Sequence, residues 1–153
     1  MLDRKYLERC LKSHNIFYYF YSFDEETVTA RQASKLLNVP LSSIAKSILF
    51  LDENKNPLLV VLPGYKRIPQ RRLARMLGKK KLRLARREEV LEVSGYVAGG
   101  IPPLCHKKLI ETIIDRECLD QEYIVVGGGD IHSLLKIKPE DLVKIQKAKI
   151  IEL

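Results

Sequence analysis

A chain of 153 residues, 46% apolar and 30% charged, holds enough hydrophobic material for one core and too little for two. These proportions exclude a disordered chain, a collagen-like repeat and a coiled coil. No stretch nears the roughly 18 consecutive apolar residues of a membrane span, and MLDRKYLERC lacks a signal's apolar centre. The expectation is a soluble, cytoplasmic domain covering residues 1–153, with no membrane partner.

In chain order, Leu2, Tyr6, Leu7, Cys10 and Leu11 recur at helical spacing and predict a first helix ending near His14. IFYYFYSF predicts a strand rich in aromatic residues. Thr29 can cap a second helix, whose apolar stripe is Ala33, Leu36 and Leu37 and which Pro40 stops. IAKSILFL, the turn DENKN and PLLVVL predict a hairpin of buried strands. QRRLARML predicts a helix with Leu73, Met76 and Leu77 on its apolar stripe, KLRLA a short strand and REEVLEV a short helix. GYVAGGIPPL is a loop stiffened by prolines. ETIID, EYIVV and SLLKIK predict strands, with GGGD as a turn between the last two. Pro139, Glu140 and Asp141 suit the start of a last helix, and KIIEL closes the chain as a strand. Strands, hairpins and helices interspersed in this way define a mixed α+β domain around one sheet or barrel.

The net charge of +8 comes from one segment. Eleven bases and no acid lie between Lys66 and Arg87, leaving 16 bases against 19 acids elsewhere. A basic patch this localised attracts a polyanion, and in a cytoplasmic protein the usual polyanion is a nucleic-acid backbone. Charge alone therefore nominates Lys66, Arg67, Arg71, Arg72, Arg75, Lys79, Lys80 and Lys81 as phosphate contacts. The segment itself carries no interleaved aromatics for base stacking.

Cys10, Cys105 and Cys118 are odd in number, widely spaced and without a CxxC pair. They suggest neither a disulfide framework nor a thiolate zinc site, and His14, His106 and His132 do not fall at metal-ligand spacing. No metal and no cofactor are expected. The GGG at 127–129 lacks the strand–GxGxxG–helix context of a dinucleotide site, and no Walker-type GK[ST] occurs. The chain offers no obvious side-chain nucleophile.

Lys46 stands out because its neighbours along IAKSILFL are apolar or small. A lysine there either snorkels from a strand edge or enters a cleft, where it meets a carbonyl oxygen, a phosphate or an oxyanion with a pKa lowered by desolvation. Gly99 and Gly100 can present backbone N–H groups close to a ligand, or form a plain turn. Asp115 ends an apolar strand, as a pocket-rim acid or a turn acid.

In this order the fragments resemble the YbaK-like, prolyl-tRNA-synthetase-associated editing domain family over nearly the whole chain. TARQASKLLNVPLSSIAKSILF is similar to the family's helix, proline linker and lysine-bearing strand, with Lys46 as the lysine. LARMLGKKKLRLARREEVLEVSGYVAGGIPPL resembles a block in which LG-x-KK leads to TGY-x-x-GG-[IV]-S-P, so that Gly99 to Pro103 match the GxxxP element. ETIID with Asp115, and PEDL, are also family-like. The resemblance implies an α+β fold with a twisted, mostly antiparallel, barrel-like sheet surrounded by helices. It implies hydrolysis in trans of the ester joining a wrong amino acid to tRNA, usually tRNA for proline carrying cysteine, alanine or another small residue. Prolyl-tRNA synthetase is a candidate partner. An aminoacyl ester is already activated, so positioned water and oxyanion stabilisation suffice without a covalent nucleophile. On this resemblance Lys46, Gly99 and Gly100 are catalytic, while Ile101, Pro103, Asp115, Gly128 and Gly129 bind substrate.

The chain departs from the family at Pro102, where a small polar residue is usual, and at Cys105, where glycine is common. A third departure is Asp130-Ile131-His132, in place of a basic pattern. These departures carry the alternative, a non-catalytic tRNA- or synthetase-binding module with the editing fold.

Overall fold

A computed structural model describes residues 1–24 and 29–153. The described elements are α1 (Arg4–Ser13), β1 (Tyr19–Ser22), α2 (Ala30–Leu37), β2 (Ala45–Asp52), β3 (Pro57–Pro63), α3 (Gln70–Met76), β4 (Leu82–Leu84), α4 (Arg87–Ser94), β5 (Glu111–Asp115), β6 (Ile124–Gly127), β7 (Ser133–Ile137), α5 (Pro139–Gln146) and β8 (Lys149–Ile151). Local chemistry explains the helix ends. The Asp3 side chain accepts from the Tyr6 N–H at the start of α1, and Thr29 forms a reciprocal capping box with Gln32 at α2. Pro139 opens α5 with Glu140 and Asp141 in its first turn.

The strands form two sheets, β1-β7-β6 and β4-β2-β3-β5-β8. Pairing is antiparallel except for β3 with β5 and β5 with β8, so the sheets are mostly antiparallel, as expected. The barrel-like expectation needs correction. Only an isolated Ile44–Val125 bridge joins the sheets among the described residues, and they do not close.

β3 explains the layering. Leu59 and Val61 face one core, with Leu7, Leu11, Ile124, Leu135 and Leu142, whereas Leu58, Val60 and Leu62 face a second core under α3, with Leu73 and Ala74. Burial on both faces is why PLLVVL reads as a continuous apolar run. Met76 departs from its expected place on the α3 stripe and is 47% exposed, because α3 ends there.

A second correction concerns the cysteines. Cys10 on α1 and Cys105 are joined in a disulfide across 95 residues, and Cys118 is free and buried. Spacing along the chain could not reveal the pair, because the fold brings α1 against the loop after Gly95, where the Leu2 N–H donates to the Gly95 carbonyl.

Candidate active site

A cavity of about 280 Å³ opens between α2, the start of β2 and the loop after α4. Ala30, Ala33, Ile44, Ala45, Lys46, Ser47, Gly64, Gly99, Ile101, Val125, Gly127 and Leu134 line it. The wall is mainly apolar, with few polar groups, as a small-ligand site requires.

Lys46 is half-buried on β2, opposite Leu62 of β3. β4 pairs only with Phe50, Leu51 and Asp52, and on that side the start of β2 meets β6 only at the isolated Ile44–Val125 bridge among the described residues, so Lys46 lies at the cavity. Desolvation, and then the charge of Arg67, hold its ammonium below the ordinary lysine pKa. Beside it the buried Ser47 hydroxyl has no hydrogen-bond partner among the described residues. Ser47 is a polar group that sequence reasoning missed; its only signal was its adjacency to Lys46.

The two glycine loops lock together. The Gly129 N–H donates to the Gly100 carbonyl, while the Gly100 N–H donates to the Val97 carbonyl. A Cβ on Gly100 would stand 2.6 Å from the Asp130 carbonyl carbon, and one on Gly127 would stand 2.2 Å from the Ile101 carbonyl oxygen. Both positions exclude a side chain by close backbone approach. Gly99 instead needs its freedom for conformation, at φ +94°. Among the described residues, the Gly99 and Ile101 amides make no hydrogen bond.

The expected site residues therefore divide. Lys46, Gly99 and Ile101 line the cavity together, and Gly127 joins them from the GGG run. Gly100, Gly128 and Gly129 hold the two loops in place, with the Gly128 N–H donating to Ser133. Pro103 is buried outside the lining. Asp115 is buried at the end of β5, where it pairs with Lys66 at 2.8 Å and accepts from the Glu117 N–H. Behind the loop, the buried His106 ring contacts the Pro102 carbonyl at 2.7 Å and Tyr96 edge-on, and burial lowers its pKa to about 4.

The basic segment builds a second cavity of about 600 Å³, lined by Gln70, Arg71, Ala74, Arg75, Lys79, Lys80, Lys81 and Leu82. Four of the segment's eleven bases are tied up: Lys66 to Asp115, Lys79 to Asp52, Arg83 to Glu89, and Arg86 to Glu88 and Glu89. Arg67, Arg71, Arg72, Arg75, Lys80, Lys81 and Arg87 have no ion-pair partner among the described residues, and no acid lines this cavity.

Residues 24–145 match the family model of the aminoacyl-tRNA editing domain. The chain belongs to that family. It is 22% identical over 147 residues, 95% of this chain and 90% of the relative, to EbsC of Enterococcus faecalis, which is provisionally described as a Cys-tRNA(Pro)/Cys-tRNA(Cys) deacylase. It is 38% identical over 99 residues to the proline–tRNA ligase of Aquifex aeolicus, covering 65% of this chain but only 17% of the ligase. A solved structure described as a candidate trans-editing enzyme for prolyl-tRNA synthetase superposes with a TM-score of 0.88 at 24% identity. The match covers 98% of this chain and 95% of that one, and at this identity it speaks for the fold.

Proposed function

We propose that residues 1–153 act as one editing domain that hydrolyses, in trans, the ester linking a wrong amino acid to tRNA. The tRNA is that for proline, and the amino acid is small, such as cysteine or alanine. The observation that carries this reading is the small, mainly apolar cavity lined by a desolvated Lys46 together with Ser47, Gly99 and Ile101, whose loop amides make no hydrogen bond among the described residues. Water adds to the ester carbonyl carbon, the bond to the ribose oxygen breaks, and that oxygen leaves as a hydroxyl after taking a proton. The products are a free amino acid and uncharged tRNA. Lys46 holds the carbonyl oxygen or the terminal adenosine, and the loop amides steady the oxyanion. Gly100 and the GGG run fix that loop in position. Arg67, Arg71, Arg72, Arg75, Lys80 and Lys81 grip the phosphate backbone. The family's ties to proline–tRNA ligases favour prolyl-tRNA synthetase as a partner and the cytoplasm as the setting.

The competing reading, a non-catalytic tRNA- or synthetase-binding module, draws on Pro102, which has no N–H to offer, and on the committed Gly100 amide. The deciding experiment charges proline tRNA separately with cysteine, alanine, serine, threonine and proline, and follows deacylation by wild type and Lys46→Ala. Loss of one mischarged species, with prolyl-tRNA spared and the variant impaired, is expected. No hydrolysis of any species, with salt-sensitive tRNA binding retained, would replace the enzyme with the module.

A further inference from the structure

The aromatic run IFYYFYSF does more than form a strand. β1 is an edge strand, and its alternation sends Tyr18 and Phe20 toward the main core while Phe17, Tyr19 and Tyr21 share the opposite face. Phe17 is 44% and Tyr19 56% exposed, and they are the exposed aromatics of this sheet among the described residues. The Tyr19 and Tyr21 rings stand 5.0 Å apart, and Phe17 meets Tyr123 at 5.2 Å. Lys136, the register partner of Tyr19 on β7, lies over the Tyr123 ring at 4.4 Å. The register neighbours on this face of β7 and β6, Lys136, Leu134 and Val125, include no acid.

This face runs into the cavity. Tyr21 packs with Leu134 and Val125, and both of these residues line the Lys46 cavity. Successive aromatics on one strand face repeat about every 6.7 Å, close to the span of one nucleotide in an extended strand. Exposed rings beside a cation, without acids among those neighbours, fit bases that stack and phosphates that are neutralised.

We infer that Phe17, Tyr19, Tyr123 and Lys136 form a stacking platform for single-stranded RNA, which threads the unpaired 3′ end of the substrate toward the Lys46 cavity. The inference rests on the editing reading, and names the nucleotides just inside the reacting terminus as its ligand. It assigns recognition of the tail to the small sheet, apart from the backbone grip of α3.

The chain has no tryptophan, so Tyr19→Trp installs a single indole reporter. An RNA hairpin with a single-stranded ACCA tail is expected to quench it, and a blunt hairpin of the same stem is not. Phe17→Ala with Tyr19→Ala should weaken binding of the tailed hairpin on the order of 10-fold or more, toward the blunt value, whereas Tyr19→Phe should retain it. Both sites are exposed, and an unchanged thermal melt checks that the fold survives. Equal affinity of the wild type for tailed and blunt hairpins would overturn the platform, as would alanine variants that bind the tail normally. If those variants also deacylate normally, the platform fails and the editing reading stands. Tail-dependent binding without any hydrolysis would fail the editing reading and leave the platform in place.

Discussion

The two cavities put lysines to opposite uses. Lys46 lines a small apolar space and has only another cation, Arg67, to influence it, so burial and repulsion together push its pKa down. Lys79 lines the larger space beside α3, but there the Asp52 carboxylate at 3.0 Å raises its pKa. A lysine that keeps a carboxylate partner is structural, because its charge is already spent. A lysine held in an apolar pocket without one is available to a ligand that brings negative charge. The same division runs through the basic segment, where Lys66 and Lys79 brace the fold while Arg71, Arg75, Lys80 and Lys81 have no ion-pair partner among the described residues.

The sharpest break of the comparison is Lys46→Ala against Lys79→Ala. The first should lower kcat/KM for the edited species by about 10²–10³-fold, with tRNA affinity little changed. The second should leave turnover near wild type and lower the melting temperature, since the nearly buried Asp52 loses its cation. Equal losses of turnover in both would erase the distinction.

The disulfide ties the loop that lines the Lys46 cavity to α1. Cys105 lies three positions past Pro102 in the loop that carries Gly99, and Cys10 ties it to α1. Closing so long a loop contributes about 4.7 kcal/mol to stability in the chain-entropy account. Cys10→Ser with Cys105→Ser, or reduction by a dithiol, should lower stability by that order in denaturant melts. Deacylation should weaken before tRNA binding does, because α3 lies away from the bond. Binding that fails first would show that the basic cavity depends on this loop.

Acid acts on the same side. His106 has a folded pKa near 4, against about 6.5 when unfolded, so the unfolded chain binds the extra proton first. Its stabilising contribution is complete above pH 6.5 and disappears as pH falls toward 4, by on the order of 3 kcal/mol. A buried Nδ1 without a partner makes the charged form costly. Stability measured between pH 7 and 4 should fall in that window and flatten in His106→Asn; an unchanged slope in the variant would assign the fall to other groups.

How much of this was legible in the sequence depended on range. Thr29, Pro139 and the alternation of IAKSILFL determine local structure through adjacent residues, and those elements form where they were expected. The place of Lys46 at a cavity was legible because a lone cation in an apolar strand needs a reason. Gly127 and the free loop amides were not, since only the packing of residues 99–101 against 127–130 makes them neighbours. The pairing of Lys66 with Asp115, and of Cys10 with Cys105, likewise joins residues far apart in sequence that no local pattern connects.

On the binding side, Arg71→Ala with Arg75→Ala should weaken tRNA binding about 10-fold at low salt. It should also reduce the slope of log affinity against log salt by roughly 2, one per lost phosphate contact. The kcat for bound substrate should hold. A steep slope that survives both changes would move the backbone contact away from α3.

The smallest effect probes the point where the two regions meet. Arg67 follows Gly64, which lines the Lys46 cavity, and leads into α3, and its charge is one of the two causes that lower the Lys46 pKa. If Lys46 works as a cation, kcat/KM falls on the alkaline side as the ammonium loses its proton. Arg67→Gln removes the repulsion, raises the Lys46 pKa and moves that limb to higher pH, while the lost phosphate contact lowers kcat/KM by one factor at every pH. Rates must be corrected for spontaneous ester hydrolysis, which grows with pH. A rate that instead climbs through this range would make neutral Lys46 the working form, and then Arg67→Gln would shift the climb upward too. A limb that stays fixed in Arg67→Gln would detach Lys46 from the titration altogether, and the basic segment would serve binding alone.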